Sequence, residues 1–172
     1  MDKIIDNQYF KCYYVVIIIS IKLRGYIIMF KGKVVIVGAS NVGSAVLTKL
    51  LDFQLASEIA LIDLNENKCK GEALDANDAT SCIHSLNIRT YHGDYSDCKD
   101  ADLIIITAGP SIKPGEKADR LILSKTNCKI MSSVMSEITK YTKDALILMI
   151  TNPLDVATYH VSTQFDYPRE KI

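Results

Sequence analysis

A glycine-containing hexapeptide lies between an apolar run and a segment with helical periodicity. It reads GASNVG, from Gly38 to Gly43, and directly follows Lys33–Val37. Such a strand–turn–helix unit can hold a pyrophosphate, because the first N–H groups of the helix point at the ligand. Ser40 replaces the middle glycine of the GxGxxG pattern, which narrows the approach of a phosphate but adds a hydroxyl donor. Alone the pattern is a weak signal, and a tight turn that binds no ligand is the alternative.

An acidic residue closes the next apolar run. Asp63 ends the run EIALID, 20 residues after Gly43, which is the spacing of a carboxylate that accepts hydrogen bonds from adenosine ribose hydroxyls. Its negative charge would repel a 2′-phosphate, so the pattern favours NAD over NADP. The alternative is an aspartate that caps the helix after it, because capping uses the same residue type.

Apolar runs that alternate with helix-period segments must position these residues. The alternation predicts an α/β fold with a doubly wound parallel sheet. The predicted strands are Lys33–Val37, Glu58–Asp63, Asn87–Tyr91, Asp102–Thr107 and Ala145–Thr151. The predicted helices are Asn41–Phe53, with the stripe Val42, Val46, Leu50 and Phe53, then a polar helix that ends at Ala79, and a longer helix through Ile130, Val134, Ile138 and Tyr141. A fourth helix is predicted to start at Asn152-Pro153-Leu154-Asp155, with asparagine as N-cap and proline in the first helical position.

Composition excludes several classes of protein. The chain has 172 residues, 48% of them hydrophobic, which suffices for the core of one domain. Twenty basic and twenty acidic residues cancel, so nothing electrostatic favours nucleic acid or an anionic membrane as a partner. The five cysteines show no CxxC spacing and the three histidines are scattered, which predicts reduced thiols in a cytoplasmic protein and no metal site.

The first 30 residues differ from the rest. The run Tyr13–Ile21, YYVVIIISI, is too short to cross a bilayer, which needs roughly 20 apolar residues. No small-x-small cleavage site follows it. Three explanations stay open, in decreasing order of preference: a segment translated ahead of a start at Met29, an extra strand, and a signal or anchor.

Five stretches resemble the lactate/malate dehydrogenase family and occur in family order. They are KVVIVGASNVGSAV, EIALIDLNENKCKGEALD, GDYSDCKDADLIIITAGP, IKPGEKADR and ITNPLDVATY. The similarity is greatest to the bacterial L-lactate and L-2-hydroxyisocaproate dehydrogenases, and it covers their N-terminal, NAD-binding part. It implies a Rossmann-type fold, NAD as cofactor, and an oxidoreductase that interconverts an L-2-hydroxy acid and its 2-oxo acid. It also implies that the full-length protein is a homo-oligomer.

The resemblance implies cofactor contacts at particular positions. Gly38, Val42 and Gly43 would face the pyrophosphate, and Asp63 the adenosine ribose. Lys68 would form the outer edge of the adenosine site, and Tyr95 would line the adenine side. Gly109 and Pro110 would contact the cofactor directly after the fourth strand, and Ser133 would lie near it on a helix. Without the resemblance, Lys68 is a solvated lysine, Tyr95 a half-buried aromatic residue and Ser133 a neutral helix residue.

The resemblance also implies a catalytic loop from Pro110 to Arg120. Arg120 would stabilise negative charge on the substrate carbonyl oxygen while the closing loop excludes water. It follows Glu116 by four residues, two more than in the family, and an exposed arginine in a first helical turn is the alternative. Asn152 would lie beside the nicotinamide and the substrate, and Asp155 at the substrate.

Ile112 stands at the position that distinguishes substrates in the family. Malate dehydrogenases have arginine there to pair a second carboxylate, which isoleucine would leave desolvated and unpaired. The residue therefore favours lactate or a longer branched 2-hydroxy acid. A malate dehydrogenase fragment is the alternative within the family.

The family's acid/base histidine, the aspartate that holds it and its main substrate-carboxylate arginine lie beyond the NPLD helix and have no match here. His160 does not fit the histidine's motif and is expected on a helix surface. We therefore expect an unmatched extension over residues 1–30, an NAD-binding domain over 31–165, and over 166–172 the start of a link to a missing catalytic domain. The 172-residue chain should lack activity without a positioned proton donor. A non-catalytic nucleotide-binding module is the second hypothesis.

Overall fold

Within the part of the chain that the structure describes, five strands form one parallel sheet. The computed structural model describes residues 32–81, 88–110 and 120–172, and the side chains of the last range from residue 123 onward. The strand order is β3-β2-β1-β4-β5, and every pairing is parallel. The strands are β1 (Lys33–Val37), β2 (Glu58–Ile62), β3 (Arg89–His92), β4 (Leu103–Ile106) and β5 (Leu146–Met149).

In the described ranges, four α-helices connect and cover the strands. They are α1 (Asn41–Asp52), α2 (Glu66–Ser81), α3 (Arg120–Ile138) and α4 (Leu154–Gln164). Two short 3-10 helices span Tyr95–Asp100 and Arg169–Lys171. Among the described helices, none combines the length and apolar character that a membrane crossing requires.

The inner strands β1, β2 and β4 are buried on both faces apart from Lys33 and Glu58 at the starts of β1 and β2, which explains why they are otherwise apolar. Val34 and Ile36 of β1 pack in a cluster with buried residues of α1 and α2. Val35 and Val37 pack in a second cluster, with buried residues of α3 and α4. Side chains alternate between the faces along a strand, so β1 contributes to both halves of the core.

The pairing brings the carboxyl ends of the central strands to one level. Val37 at the end of β1 is in register with Ile62 of β2 and with Ile106 of β4. The residues that follow these ends are Gly38, Asp63 and Thr107. The register therefore gathers the glycine turn and the acidic residue at one edge of the sheet.

Two predicted helical residues lie beyond the helices. Phe53 was predicted on the buried stripe of the first helix, but α1 ends at Asp52 and Phe53 is 54% exposed. The chain turns away there because Gln54 adopts a positive φ of 53°. Tyr141 is likewise exposed: α3 ends at Ile138, and the backbone tightens as the N–H of Tyr141 bonds to the carbonyl of Ile138.

Several predictions concern residues outside the described ranges. These are the origin of the run Tyr13–Ile21, the start of the third strand at Asn87, and the loop position of Ile112. Arg120 begins α3, and its side chain lies outside the description.

Candidate nucleotide-binding site

The glycine turn needs its first and last glycines for steric reasons. Gly38 has φ +108°, and a Cβ there would lie 2.7 Å from the backbone nitrogen of Ala108. A Cβ on Gly43 would lie 1.9 Å from the carbonyl oxygen of Gly38. Glycine alone tolerates the positive φ and the close approach. The first turn of α1 is thereby pressed against the end of β1.

Two threonines after the strands hold this turn and its neighbour. The Thr107 hydroxyl, buried at the end of β4, donates to the carbonyl of Gly38 at 2.7 Å. The Thr151 hydroxyl, buried at the end of β5, donates to the carbonyl of Ala108 at 2.7 Å. Sequence reasoning assigned neither residue a role, although a polar residue directly after an apolar strand was visible in both cases.

Asp63 links the end of β2 to the glycine turn. Its Oδ2 accepts from the backbone N–H of Ala39 at 2.7 Å, and its Oδ1 from the N–H of Asn65 at 3.0 Å. The side chain that satisfies the first turn of α2 is Asn65, whose Oδ1 accepts from the N–H of Lys68 at 3.1 Å. The alternative that Asp63 caps this helix is therefore wrong.

A cavity of about 310 Å³ opens over this edge of the sheet. Five predicted site residues line it, together with Ser40 and several apolar side chains. The five are Gly38, Asp63, Tyr95, Gly109 and Ser133. Burial raises the pKa of Tyr95, so its phenol is neutral. Among the described residues that line the cavity, Asp63 alone carries a charge.

Four other predicted contacts are not among the residues that line the cavity. Val42 and Gly43 are in the first turn of α1, behind Ser40. Lys68 is half-buried in the first turn of α2, and Pro110 is the last described residue before the loop. Val42, Gly43 and Pro110 thus follow lining residues within a few positions along the chain.

A buried asparagine on α3 was missed by sequence reasoning. Asn127 is 3% exposed, and its Nδ2 donates to the backbone carbonyl of Asn152. Its Oδ1 is buried without a hydrogen-bond partner and lies 3.7 Å from a Cβ built on Gly109. A buried acceptor without a partner is costly, so this atom is suited to a ligand donor. The sequence did contain a signal for Asn127. It is a polar residue four positions before the apolar Met131, and therefore on the same face of the helix.

The start of α4 differs from the prediction. Asn152 was predicted as N-cap, but Pro153 occupies that position with extended backbone (φ −72°, ψ 124°), and the first helical residue is Leu154. No side chain caps this helix, and the Asn152–Pro153 peptide bond is cis. Asn152 and Asp155 are exposed and line a second, open cavity of about 890 Å³ together with Leu123 of α3.

His160 was expected on a helix surface, and the structure places it half-buried on the face of α4 that contacts α3. Its Nε2 lies 2.8 Å from the Ser132 hydroxyl of α3, and its ring packs edge-on against Phe165 with centroids 6.5 Å apart. The residue therefore joins α4 to α3. Within the described ranges, no group of three or more His, Cys, Asp or Glu residues could hold a metal ion.

A parallel sheet with a glycine turn, an uncapped helix start and an acid at the end of β2 defines a Rossmann-type dinucleotide-binding domain. The family model for the lactate/malate dehydrogenase NAD-binding domain matches residues 32–172. The chain belongs to the lactate/malate dehydrogenase family.

Relatives with similar sequences support the same family assignment. The L-lactate dehydrogenase of Selenomonas ruminantium is 69% identical over 140 residues, which cover 81% of this chain and 44% of the relative. L-lactate dehydrogenase 2 of Clostridium acetobutylicum is 55% identical over 142 residues, with coverages of 83% and 44%. The chain thus spans less than half the length of these relatives.

Solved structures agree with the fold. The minor L-lactate dehydrogenase of Enterococcus mundtii, in a ligand-bound form, has a TM-score of 0.75 at 35% identity, over 82% of this chain and 44% of that one. The lactate dehydrogenase of Cryptosporidium parvum, complexed with lactic acid and NAD, has a TM-score of 0.73 at 30% identity, over 81% and 43%. The predicted family, fold class and cofactor NAD are confirmed.

Proposed function

We propose that this chain forms the NAD-binding part of an L-2-hydroxy-acid dehydrogenase of the lactate type, and that the cavity beside Asp63 holds the adenosine and pyrophosphate of NAD. The assignment depends on three features of the fold that lie at the same cavity. Gly38, the start of α1 and the Asp63 carboxylate meet at one cavity at the carboxyl edge of the sheet. Doubly wound sheets bind their ligands at this edge, where the strand order reverses.

The adenosine end would be held by Asp63. Each of its carboxylate oxygens accepts one backbone N–H, so each retains a lone pair for a ribose hydroxyl. No lysine or arginine is among the described lining residues, so nothing in that lining would offset the repulsion between Asp63 and a 2′-phosphate. Both facts favour NAD over NADP. The exposed side chain of Leu64 and the neutral ring of Tyr95 offer apolar surface to the adenine.

The nicotinamide end would lie towards Gly109 and Asn127. The Asn127 Oδ1 is an acceptor in need of a donor, and its Nδ2 holds the backbone of Asn152. Asn127 would therefore bind the cofactor and position Asn152 for the substrate. NAD supplies hydride transfer, whereas the protein supplies binding and orientation.

The substrate side rests on the resemblance and on the named relatives. Arg120 would stabilise the charge that develops on the carbonyl oxygen, and Ile112 would favour a monocarboxylic 2-oxo acid. Asn152 and Asp155 line the open cavity next to α3, which supports a place for them at the substrate. We also propose an NAD-binding domain over residues 31–165, a homo-oligomeric full-length enzyme, and a cytoplasmic location, in keeping with the free thiols of Cys69, Cys98 and Cys128.

Calorimetric titration of the chain with NADH and NADPH tests the cofactor assignment. NADH should bind, and NADPH should bind at least about tenfold more weakly, because Asp63 repels its extra phosphate. Equal affinities would contradict the role of Asp63. For the substrate, kcat/KM for pyruvate, 2-oxoisocaproate and oxaloacetate should be compared in a chain that carries the family's catalytic residues. A preference for oxaloacetate would refute the lactate-type assignment.

A further inference from the structure

Ser40 stands where the fingerprint has its middle glycine, and the backbone tolerates a side chain there. Its φ of −77° and ψ of −175° are extended values open to any L-residue. Gly38, by contrast, has φ +108°. The turn therefore requires glycine at position 38 for its conformation but leaves position 40 open to a residue selected for another reason.

The Ser40 hydroxyl does not cap its helix. A serine at N-cap commonly accepts from an N–H of the first turn, yet α1 has no side-chain cap bond. Ser40 is exposed and lines the 310 Å³ cavity. Its carbonyl accepts the first helical bond, from the N–H of Ser44 at 2.9 Å. The hydroxyl thus lies beside the free N–H groups of the helix start instead of satisfying one of them.

The charge balance of the cavity indicates what this hydroxyl would bind. A pyrophosphate carries negative charge, but the described lining contains no lysine or arginine and one carboxylate, Asp63. Within the described lining, the donors available to this charge are neutral, namely backbone N–H groups and hydroxyls. We propose that the Ser40 hydroxyl donates a hydrogen bond to a phosphate oxygen of the bound dinucleotide. This inference rests on the proposed function and adds a side-chain ligand that the glycine of the common fingerprint cannot supply.

The proposed contact predicts a dependence on the phosphate. A hydrogen bond to a charged acceptor is stronger than one between neutral groups. Its removal should therefore weaken ligands that contain the pyrophosphate and spare those that lack it. Ser40→Ala removes the hydroxyl but keeps the Cβ, so the room for phosphate approach is unchanged. Ser40→Thr keeps a hydroxyl, and Ser40→Gly restores the common fingerprint.

The test is calorimetric titration of the wild-type chain and the three variants with NADH, ADP-ribose and adenosine. Ser40→Ala should weaken NADH and ADP-ribose by about tenfold and leave adenosine within twofold of wild type. Ser40→Thr should retain most of the affinity. If Ser40→Ala does not fold, as judged by circular dichroism, Ser40→Gly also lacks the hydroxyl, and it should still bind ADP-ribose more weakly than wild type even though the missing Cβ adds room for the phosphate.

Three results would overturn the inference. If wild type and Ser40→Ala bind ADP-ribose equally, Ser40 is no ligand while the proposed function stands. If Ser40→Ala weakens adenosine as much as NADH, the substitution has disturbed the turn and the phosphate contact is refuted. If wild type binds neither NADH nor ADP-ribose, the proposed function fails and this inference fails with it.

Discussion

The amino and carboxyl edges of the sheet differ in how far their polar groups are paired within the protein. At the amino edge, Lys33 lies 2.6 Å from the Asp97 carboxylate, and the Tyr91 hydroxyl lies 2.7 Å from both Asp97 and Glu58. Burial and the two carboxylates raise the pKa of Tyr91, so its proton stays in the cluster. At the carboxyl edge, Asn127 keeps a buried acceptor without a partner. The cluster of Lys33, Tyr91 and Asp97 at the amino edge is satisfied internally, although Thr90 Oγ1 of β3 is also buried without a partner. At the carboxyl edge, the unpartnered Asn127 Oδ1 lies beside Gly109, a residue of the cavity lining, and is therefore suited to a ligand donor.

Helix starts that follow the carboxyl ends of the strands also differ from one another in capping. Asn65 caps α2, and Asp94 and Asp97 form a reciprocal capping box on the 3-10 helix after β3. The starts of α1 and α4 have no side-chain cap, and each borders a cavity. An uncapped start leaves N–H groups that need acceptors, so these two are the starts suited to binding.

The largest effect is expected at the glycine turn. Gly43→Ala places a Cβ 1.9 Å from the Gly38 carbonyl oxygen, and such overpacking should lower the free energy of unfolding by about 3 kcal/mol. Gly71→Ala is the matched control, because a Cβ on Gly71 meets nothing within 4 Å. In the middle of α2 it should stabilise by about 0.5–1 kcal/mol. Urea denaturation measures both, and similar values for the two variants would contradict the packing argument.

A smaller loss is expected when a threonine bond is removed. Thr107→Val deletes the donor to the Gly38 carbonyl, and the unpaired carbonyl should cost about 1–2 kcal/mol of unfolding free energy. Thr151→Val deletes the equivalent donor to Ala108 and should cost a similar amount. Because only Thr107 supports the glycine turn, its variant alone should also weaken NADH. Equal NADH affinities in the two variants would show that the turn does not depend on this bond.

Removal of the Asp63 charge should change cofactor preference more than stability. Asp63→Asn keeps one acceptor oxygen but loses the charge that repels a 2′-phosphate, so the NADH-to-NADPH affinity ratio should fall by about tenfold. The control is Asn65→Ala, which removes the cap of α2 and should cost about 1 kcal/mol of stability with the ratio unchanged. An unchanged ratio in Asp63→Asn would leave Asp63 with a purely structural role.

The sequence was sufficient for the approximate positions of the five strands along the chain and for the glycine turn, because both leave local signals. Apolar runs bounded by Gly38 and Asp63 identify strand ends without any tertiary information. Thr107 and Asn127 were missed because their function depends on which carbonyl or cavity lies opposite, and this is set by strand register and helix packing. The N-cap of α4 was misplaced by one residue because Asn, Pro and Asp fit a helix start in more than one alignment.

The smallest expected effect lies at the amino edge and depends on pH. Burial opposes the ionisation of Asp97, but hydrogen bonds from Lys33, Tyr91 and the Asp94 N–H outweigh it and lower the pKa below the ordinary 3.8. A carboxyl with a depressed folded-state pKa stabilises the fold above its unfolded pKa, and the contribution disappears as the pH falls through the folded value. Asp97→Asn should therefore be less stable than wild type by about 1 kcal/mol at pH 7, and the difference should shrink towards pH 3.

The matched control is Asp166→Asn, which removes an ion pair with Lys143 that is open to solvent. Exposed pairs contribute little and are screened by salt, so this variant should follow wild type at both pH values. Urea midpoints at pH 7 and pH 3 provide the comparison, with the difference between wild type and variant as the quantity of interest because other carboxyls titrate in the same range. A deficit in Asp97→Asn that is the same at both pH values would mean that packing and not charge holds this residue. The amino edge would then be stabilised by packing, and the difference between the amino and carboxyl edges would no longer be electrostatic.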